Sequence, residues 1–275
     1  PSTVTISKYR LDPDTLRREL GPPRALGDTP IAAVELAQGS YQLSLRLTDD
    51  HTIAYPVMIG RGEQLQLDLQ LPGRDQIPRG FIFIPEGRSL YGSPDDEIIR
   101  HFFVTVPQHV VTTPAYLIAQ HETTYAEWLA FLDDLPLVER ARYLPSSDTM
   151  NFGAGIFLAR AKDERWSLTI PAGEKVFKAW EGEPIVYTGR SAHATQDWLQ
   201  MPVSGVNLAD AEAYLAWLDR TGRVTGARLC SDWEWERAAR GADDRRYPHG
   251  DRLDAADANI DTTYGKDAEN RGPDV

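Results

Sequence analysis

The sequence predicts an α+β protein in two parts: a small antiparallel β-sandwich module at residues 1–72, then a larger mixed domain at residues 80–275. Three observations predict it. Apolar and polar residues alternate over much of the first seventy or so positions. Two later stretches repeat apolar residues at helical spacing behind good caps. Between these patterns runs LPGRDQIPRG, whose Pro72 and Pro78 mark a boundary.

Within the first part, residues 3–9, 41–47 and 64–71 alternate. In QLQLDLQL the residues Leu65, Leu67, Leu69 and Leu71 fall two apart, on one face of a strand. Gly39 and Ser40, Asp49 and Asp50, and Gly60 with Gly62 punctuate these runs as turns. Short strands at this spacing predict a sandwich that acts as spacer or presenter, in which His51 is a surface turn residue. Past the boundary, Phe81 to Ile84 reads as a strand followed by a Pro and Gly turn, and His109 to Thr113 as another.

Thr123 or Thr124 caps a predicted helix whose stripe is Trp128, Leu129, Phe131, Leu132 and Leu135, and Pro136 stops it. Residues 137–200 show no sustained period and read as an insertion, with possible strands at 166–170 and 185–187. Asn207 caps a second helix with Leu208, Ala211, Leu215 and Leu218 on its apolar face, closed by Gly222. Ser231 and Glu234 form a capping box for a third, which Gly241 ends. Everything after Gly241 is polar, Asp-rich loop.

Composition excludes several functions. The 275 residues are 41% hydrophobic and 25% charged, the profile of a folded globular protein, and no apolar run is long enough to span a bilayer. Twenty-nine basic against 41 acidic residues give a net charge of −12, so the chain lacks the basic field that nucleic acid or anionic membrane requires. PSTVTISKYR has neither the basic start nor the apolar core of a signal peptide, and no initiator Met, which suggests a piece of a longer protein. The single cysteine, Cys230, precludes an intrachain disulfide and fits a reducing compartment such as the cytoplasm.

No acid/base pair of carboxylates stands out, and Asp95, Asp96 and Glu97 read as a solvated loop. His109 and His121 lack a third metal ligand at diagnostic spacing, and HExxH, GxSxG and phosphate-cradling glycine loops are absent. Cys230 precedes a helix N-cap, where the dipole can lower a thiol pKa; the plainer reading is a small buried residue at the helix entry. Of Trp217, Trp233 and Trp235, at least two are expected in the core. The tail offers Asp, Asn and Glu oxygens suited to Ca²⁺.

Three blocks carry a resemblance to a known family. They are FIFIPEGRSLYGS; AYLIAQHETTYAEWLAFL, with Glu122 and Thr123 at an E-V-T-like triplet; and MPVSGVNLADAEAYLAWL followed by RLCSDWEWERAARG, YPHGD and ANI. In this order they resemble the formylglycine-generating enzyme, or sulfatase-modifying factor, family over residues 80–275. The resemblance implies a C-type-lectin-like fold. Together with the N-terminal module, it looks like the C-terminal part of large bacterial serine/threonine protein kinases, although no kinase motif is present.

Departures from the family pattern shape the functional expectation. Members that oxidise a substrate cysteine use a cysteine pair that binds copper, and thiolates are the ligands copper(I) prefers. Here Cys230 stands where the family has the proline of R-L-P-T-E and matches neither catalytic cysteine. The sequence also stops before the G-N-V-W-E-W block, so either a missing second chain or an unusual truncation is expected. The resemblance further implies a structural Ca²⁺ held by the Asn259 side chain and the Ile260 carbonyl, with Asp267, Glu269 or Asp274 completing the site. The expected function is a non-catalytic binding or sensory region of a kinase-linked signalling protein, its ligand or protein partner unidentified. The rivals are a copper oxidase whose cysteines lie beyond Val275 and a lectin-like ligand-display scaffold. An iron-dependent sulfoxide synthase is disfavoured, because it needs a histidine-rich helical partner domain that the β module does not supply.

Overall fold

Five antiparallel strands from the first sixty residues form one sheet. They are β1 (Thr3–Leu11), β2 (Arg18–Leu20), β3 (Arg24–Asp28), β4 (Gly39–Arg46) and β5 (Thr52–Ile59), in the order β2-β1-β4-β5 with β3 also paired to β1. The structure, a computed structural model, describes residues 2–48, 51–145, 155–172, 174–190, 192–260 and 263–264. Alternation puts Val4 and Ile6 of β1, Tyr41 and Leu45 of β4, and Ile53, Tyr55 and Val57 of β5 into one buried cluster. Where strand spacing predicts a sandwich, these strands join into one connected sheet, because β1 is long enough to pair with three partners. Pro56 interrupts no ladder, since β5 lies at the end of the sheet order.

The alternating stretch 64–71 is not a strand. Leu65 and Leu67 are exposed, whereas Leu69 and Leu71 lean against the buried face of the sheet. A period of two identifies a face but does not provide a hydrogen-bonding neighbour, and among the described residues no strand pairs with this stretch. The chain then forms two hairpin-like pairs, β6 (Phe81–Ile84) with β9 (Tyr116–Ala119) and β7 (Gly87–Tyr91) with β8 (His109–Thr113). Between β7 and β8 lies the short helix α1 (Glu97–Phe102).

Two compact units divide the chain: Pro1–Gln120 with Cys230–Leu253, and His121–Leu229 with Asp254–Val275. The second opens with α2 (Tyr125–Asp134), capped by a reciprocal Thr124–Glu127 box. Of the two threonines proposed as caps, Thr124 takes the role. Pro136 then starts α3 (Leu137–Arg140). Arg140 turns back so that its Nε donates to Leu132 O at 2.7 Å and its Nη2 to Asp133 O at 3.0 Å, adding a second bond to the Leu132 carbonyl, which also accepts from Leu135 N, and one to that of Asp133.

Residues 137–200, which show no period in sequence, supply much of the second unit's core. They contain the meander β10 (Phe157–Arg160), β11 (Trp166–Ala172) and β12 (Lys175–Trp180), and the pair β13 (Ile185–Val186) and β14 (Thr195–Gln196). Trp166, Leu168 and Ile170 of β11 are buried among Trp128, Phe131, Trp198, Tyr214 and Trp217. Apolar Trp166, Leu168 and Ile170 alternate with Ser167 and Thr169, so β11 and β13 fall where strands at 166–170 and 185–187 are expected. The last helix of the unit is α4 (Leu208–Arg220), capped by Asn207 and Asp210, with Gly222 just past its end at φ 69°. Its buried residues are Asp210, Tyr214 and Trp217, so the leucine stripe predicted from spacing flanks the buried face and does not form it. Burial pushes the Tyr214 phenol up to about 12, with Glu127 adding to the rise.

Every buried indole of this unit finds an acceptor. Trp128 donates to Tyr143 O at 3.1 Å, Trp198 to Trp180 O at 3.2 Å, Trp166 to Asp133 at 3.2 Å and Trp217 to Asp134 at 2.8 Å. The chain then returns to the first unit with α5 (Asp232–Arg240). Helices and antiparallel sheets thus combine as the α+β class predicts. Truncating Leu168 to Ala should cost about 2–5 kcal/mol in urea denaturation. Leu65→Ala, at an exposed position outside any strand, should stay within about 0.5 kcal/mol.

Candidate functional site

Helix α5 lies in the most family-like block of the sequence, and it buries the opposite residues from those expected. Trp233 and Trp235 are 50% and 61% exposed, while Glu234 and Arg237 are buried. Only Trp217 of the three tryptophans is a core residue. The reason is geometric: positions two apart on a helix point to different sides, so Trp233 and Trp235 cannot share one buried face, whereas 234 and 237 can. Trp233 instead meets the Tyr91 ring edge-on at 6.2 Å.

Burying Glu234 and Arg237 is chemically supported. The Glu234 carboxylate accepts from Ser231 N at 2.8 Å, completing the predicted capping box, and its backbone carbonyl accepts from the Tyr116 hydroxyl. Arg237 donates through Nη1 to Arg88 O at 2.7 Å and through Nη2 to Pro85 O at 3.0 Å, and it bonds the Tyr55 hydroxyl. It therefore ties α5 to the turn between β6 and β7. Burial lowers the Arg237 pKa, opposed by the two tyrosines, and burial raises that of Tyr116 well above the usual phenol range.

Beyond α5, Asp243 and Arg245 form a buried bidentate pair at 2.7 and 2.8 Å. Ser40 Oγ also donates to Asp243 at 2.5 Å, and Arg18 approaches it at 3.4 Å. Burial alone would raise the Asp243 pKa, but the bonds from Arg245 and Ser40 and the nearby cations hold it below the usual carboxylate range. In YPHGD, Gly250 lies at φ 151°, and a Cβ there would collide with Leu16 O and come within 2.8 Å of Arg17 Cα. Arg18 N donates to His249 O and Asp251 N to Leu16 O, fastening this loop to the hairpin between β1 and β2.

The other sequence candidates separate. Cys230 is exposed, not the buried helix-entry residue expected. Asp96 caps α1 through Ile99 N, and Asp95 bonds Ser93 and Arg246, so the acidic run has a local structural role. His109 contacts Pro107 O through Nδ1, and His121 is exposed. Among the described residues no three His, Cys, Asp or Glu side chains gather as a metal set. Asn259 is exposed, in a turn where Ile260 N donates to Thr263 Oγ1 at 3.0 Å and Thr263 N to Ile260 O at 2.9 Å. Nearby, the Arg190 guanidinium lies over the Tyr187 and Tyr264 rings. Asp267, Glu269 and Asp274 lie outside the described residues. Sequence reasoning missed Arg237, Asp243 and Arg245. The i, i+2 spacing of the two tryptophans was the available signal, since it obliges some polar face of α5 to turn inward.

The capped helix, the YPHGD loop and the strands before them belong together: the chain is a member of the sulfatase-modifying factor enzyme 1-like domain family, matched over residues 70–272. It is similar to the hercynine oxygenase of Mycolicibacterium thermoresistibile, at 32% identity over 155 residues, covering 54% of this chain and 28% of that one. It is also similar to the formylglycine-generating enzyme of Thermomonospora curvata, at 28% identity over 193 residues, covering 68% and 58%. The chain thus spans less than two thirds of either relative.

Asp243 gives a pH test. Its pKa is lower folded than unfolded, so its contribution to stability is present above pH ~4 and lost as the pH falls through the folded value. Asp243→Asn should lose on the order of 3–5 kcal/mol at pH 7 in urea denaturation, and its stability should fall less steeply than the parent's below pH ~4.

Proposed function

We propose that this chain is a non-catalytic binding or sensory region of a larger bacterial signalling protein, linked to a serine/threonine kinase. In this reading the N-terminal module at residues 1–72 presents a C-type-lectin-like domain at residues 80–275. The observation that carries it is the cysteine inventory. Copper-dependent oxidation in the family needs two thiolates within reach of one ion, and this chain has one cysteine, exposed beside the N-cap of α5. The residues present therefore do not fit copper, and no oxidative step follows from them.

Both relatives carry enzyme names, which favours a second reading for the whole protein: an oxidase whose copper-binding cysteines lie outside these residues. One assay separates the two. The purified chain is incubated with copper, reductant, oxygen and a cysteine-containing peptide, and the peptide is examined by mass spectrometry for aldehyde. The binding role expects unchanged peptide; oxygen- and copper-dependent aldehyde formation would overturn it.

The family's calcium site suits the Asn259 turn in donor chemistry. An amide oxygen and a backbone carbonyl are the hard ligands Ca²⁺ takes, and Ile260 O keeps a second lone pair beside its bond from Thr263. Asn259, Ile260, Asp267 and Glu269 would hold the ion, which would brace the tail and supply no chemistry. Calcium should raise the melting temperature, with chelation reversing the rise and Asn259→Ala abolishing it. An equal response in the variant would place the ion elsewhere.

A further inference from the structure

Between β7 and β8 runs an apolar segment that stays outside every core. Ile98, Ile99, Phe102, Phe103, Val104 and Val106 are all exposed, Ile98 at 82%, Phe102 at 78% and Val104 at 92%, and none packs against either buried cluster. Helix α1 itself buries no residue. Ile98 and Phe102 lie four apart on one face of it, and the Phe102 and Phe103 rings meet edge-on at 4.9 Å, so these side chains form one ridge. Val104 then holds φ 53°, a left-handed backbone that a β-branched residue rarely adopts. Val104 N donates to His101 O at 3.3 Å and Thr105 N to Arg100 O at 2.9 Å, which fixes the turn at the tip of the ridge.

Six apolar residues this exposed present on the order of 800 Å² to solvent, more than the largest apolar patch of an ordinary monomer and close to what each partner contributes to a stable interface. Charge selects the occupant. Asp96 and Glu97 stand exposed at the start of α1, and Arg100 with exposed His101 stands at its end. A two-fold axis across the ridge lays α1 antiparallel to α1 of a second copy, so each acidic end meets the basic end of the other. A surface divided in this way is complementary to itself. A uniformly basic or uniformly acidic partner would meet like charge at one end. An anionic membrane would be repelled by the chain's net charge of −12.

We propose that two copies of this chain associate through α1 and the turn after it, as a two-fold dimer with Phe102 and Phe103 at its centre. The inference goes beyond the binding role proposed above and does not rest on it. The peptide-oxidation assay does not read association, so the two can fail separately.

The test is sedimentation velocity of the full chain over a concentration series up to roughly 200 μM. The parent should pass from monomer to dimer mass as concentration rises and go no further, since a two-fold contact closes on itself. Phe102→Ser changes an exposed side chain outside both cores, so its melting temperature as a monomer should stay near the parent's. It should raise the dimer dissociation constant by about a hundredfold or more, because both copies lose the ring. Glu97→Lys sets like charges opposite each other and should raise it by about tenfold. Val138→Ser, at an exposed apolar position of α3, should leave it unchanged. A monomer at every concentration overturns the proposal and assigns the ridge to a different partner. So does a dimer that persists in a folded Phe102→Ser variant, one indifferent to Glu97→Lys, one that Val138→Ser weakens equally, or an assembly that grows past two copies.

Discussion

Two carboxylates at the end of α2 hold the core of the second unit in place. Asp133 and Asp134 sit where the helix dipole disfavours negative charge, and the last turn of α2 carries no basic residue. Their position follows from what they accept: the indole N–H of Trp166 from the meander and that of Trp217 from α4. Each large ring can sink into the core because its one polar atom reaches a carboxylate at the rim. Arg160 at 2.9 Å from Asp133, and Arg140 on the carbonyls of the last turn, offset the charge. An indole without such an acceptor would carry a buried unsatisfied donor, a cost of about 1–3 kcal/mol. The aromatic cluster thus depends on four polar bonds as much as on apolar area.

What was legible in the sequence was mostly local. Thr124, Asn207 and Ser231 cap their helices as the patterns indicate, because a capping box is written within four residues. Strands 81–84 and 109–113 were also readable. Long-range burial was not. Residues 64–71 alternate as cleanly as any strand, but strand formation needs a neighbour that the pattern cannot name. Within 137–200 the short runs at 166–170 and 185–187 mark β11 and β13, but nothing local shows that they carry the core. On α4, spacing assigns the inner face to Leu208, Ala211, Leu215 and Leu218, whereas Tyr214 and Trp217 hold it.

The candidate site was hidden for a related reason. Hydrophobicity alone turns α5 the wrong way, with its tryptophans inward. The helix instead buries a glutamate spent on its own cap and an arginine spent on carbonyls of a distant turn. Such a helix is stable where most of the polar groups it buries find partners, as Glu234 does in its cap and Arg237 does through its two Nη atoms.

The first unit is discontinuous: its sheet ends by residue 59, while α5 and the Asp243–Arg245 pair arrive after residue 230. During synthesis at ~5–20 residues per second, the sheet leaves the ribosome well before Asp243 exists to meet Ser40 and Arg18. The intervening residues of the second unit have time to collapse around their tryptophans first. The strands of this sheet are therefore made before the segments that lock them, and they wait with an unpaired edge at β5 and Tyr55 lacking its arginine. Order of synthesis and order of completion run in opposite directions along this chain.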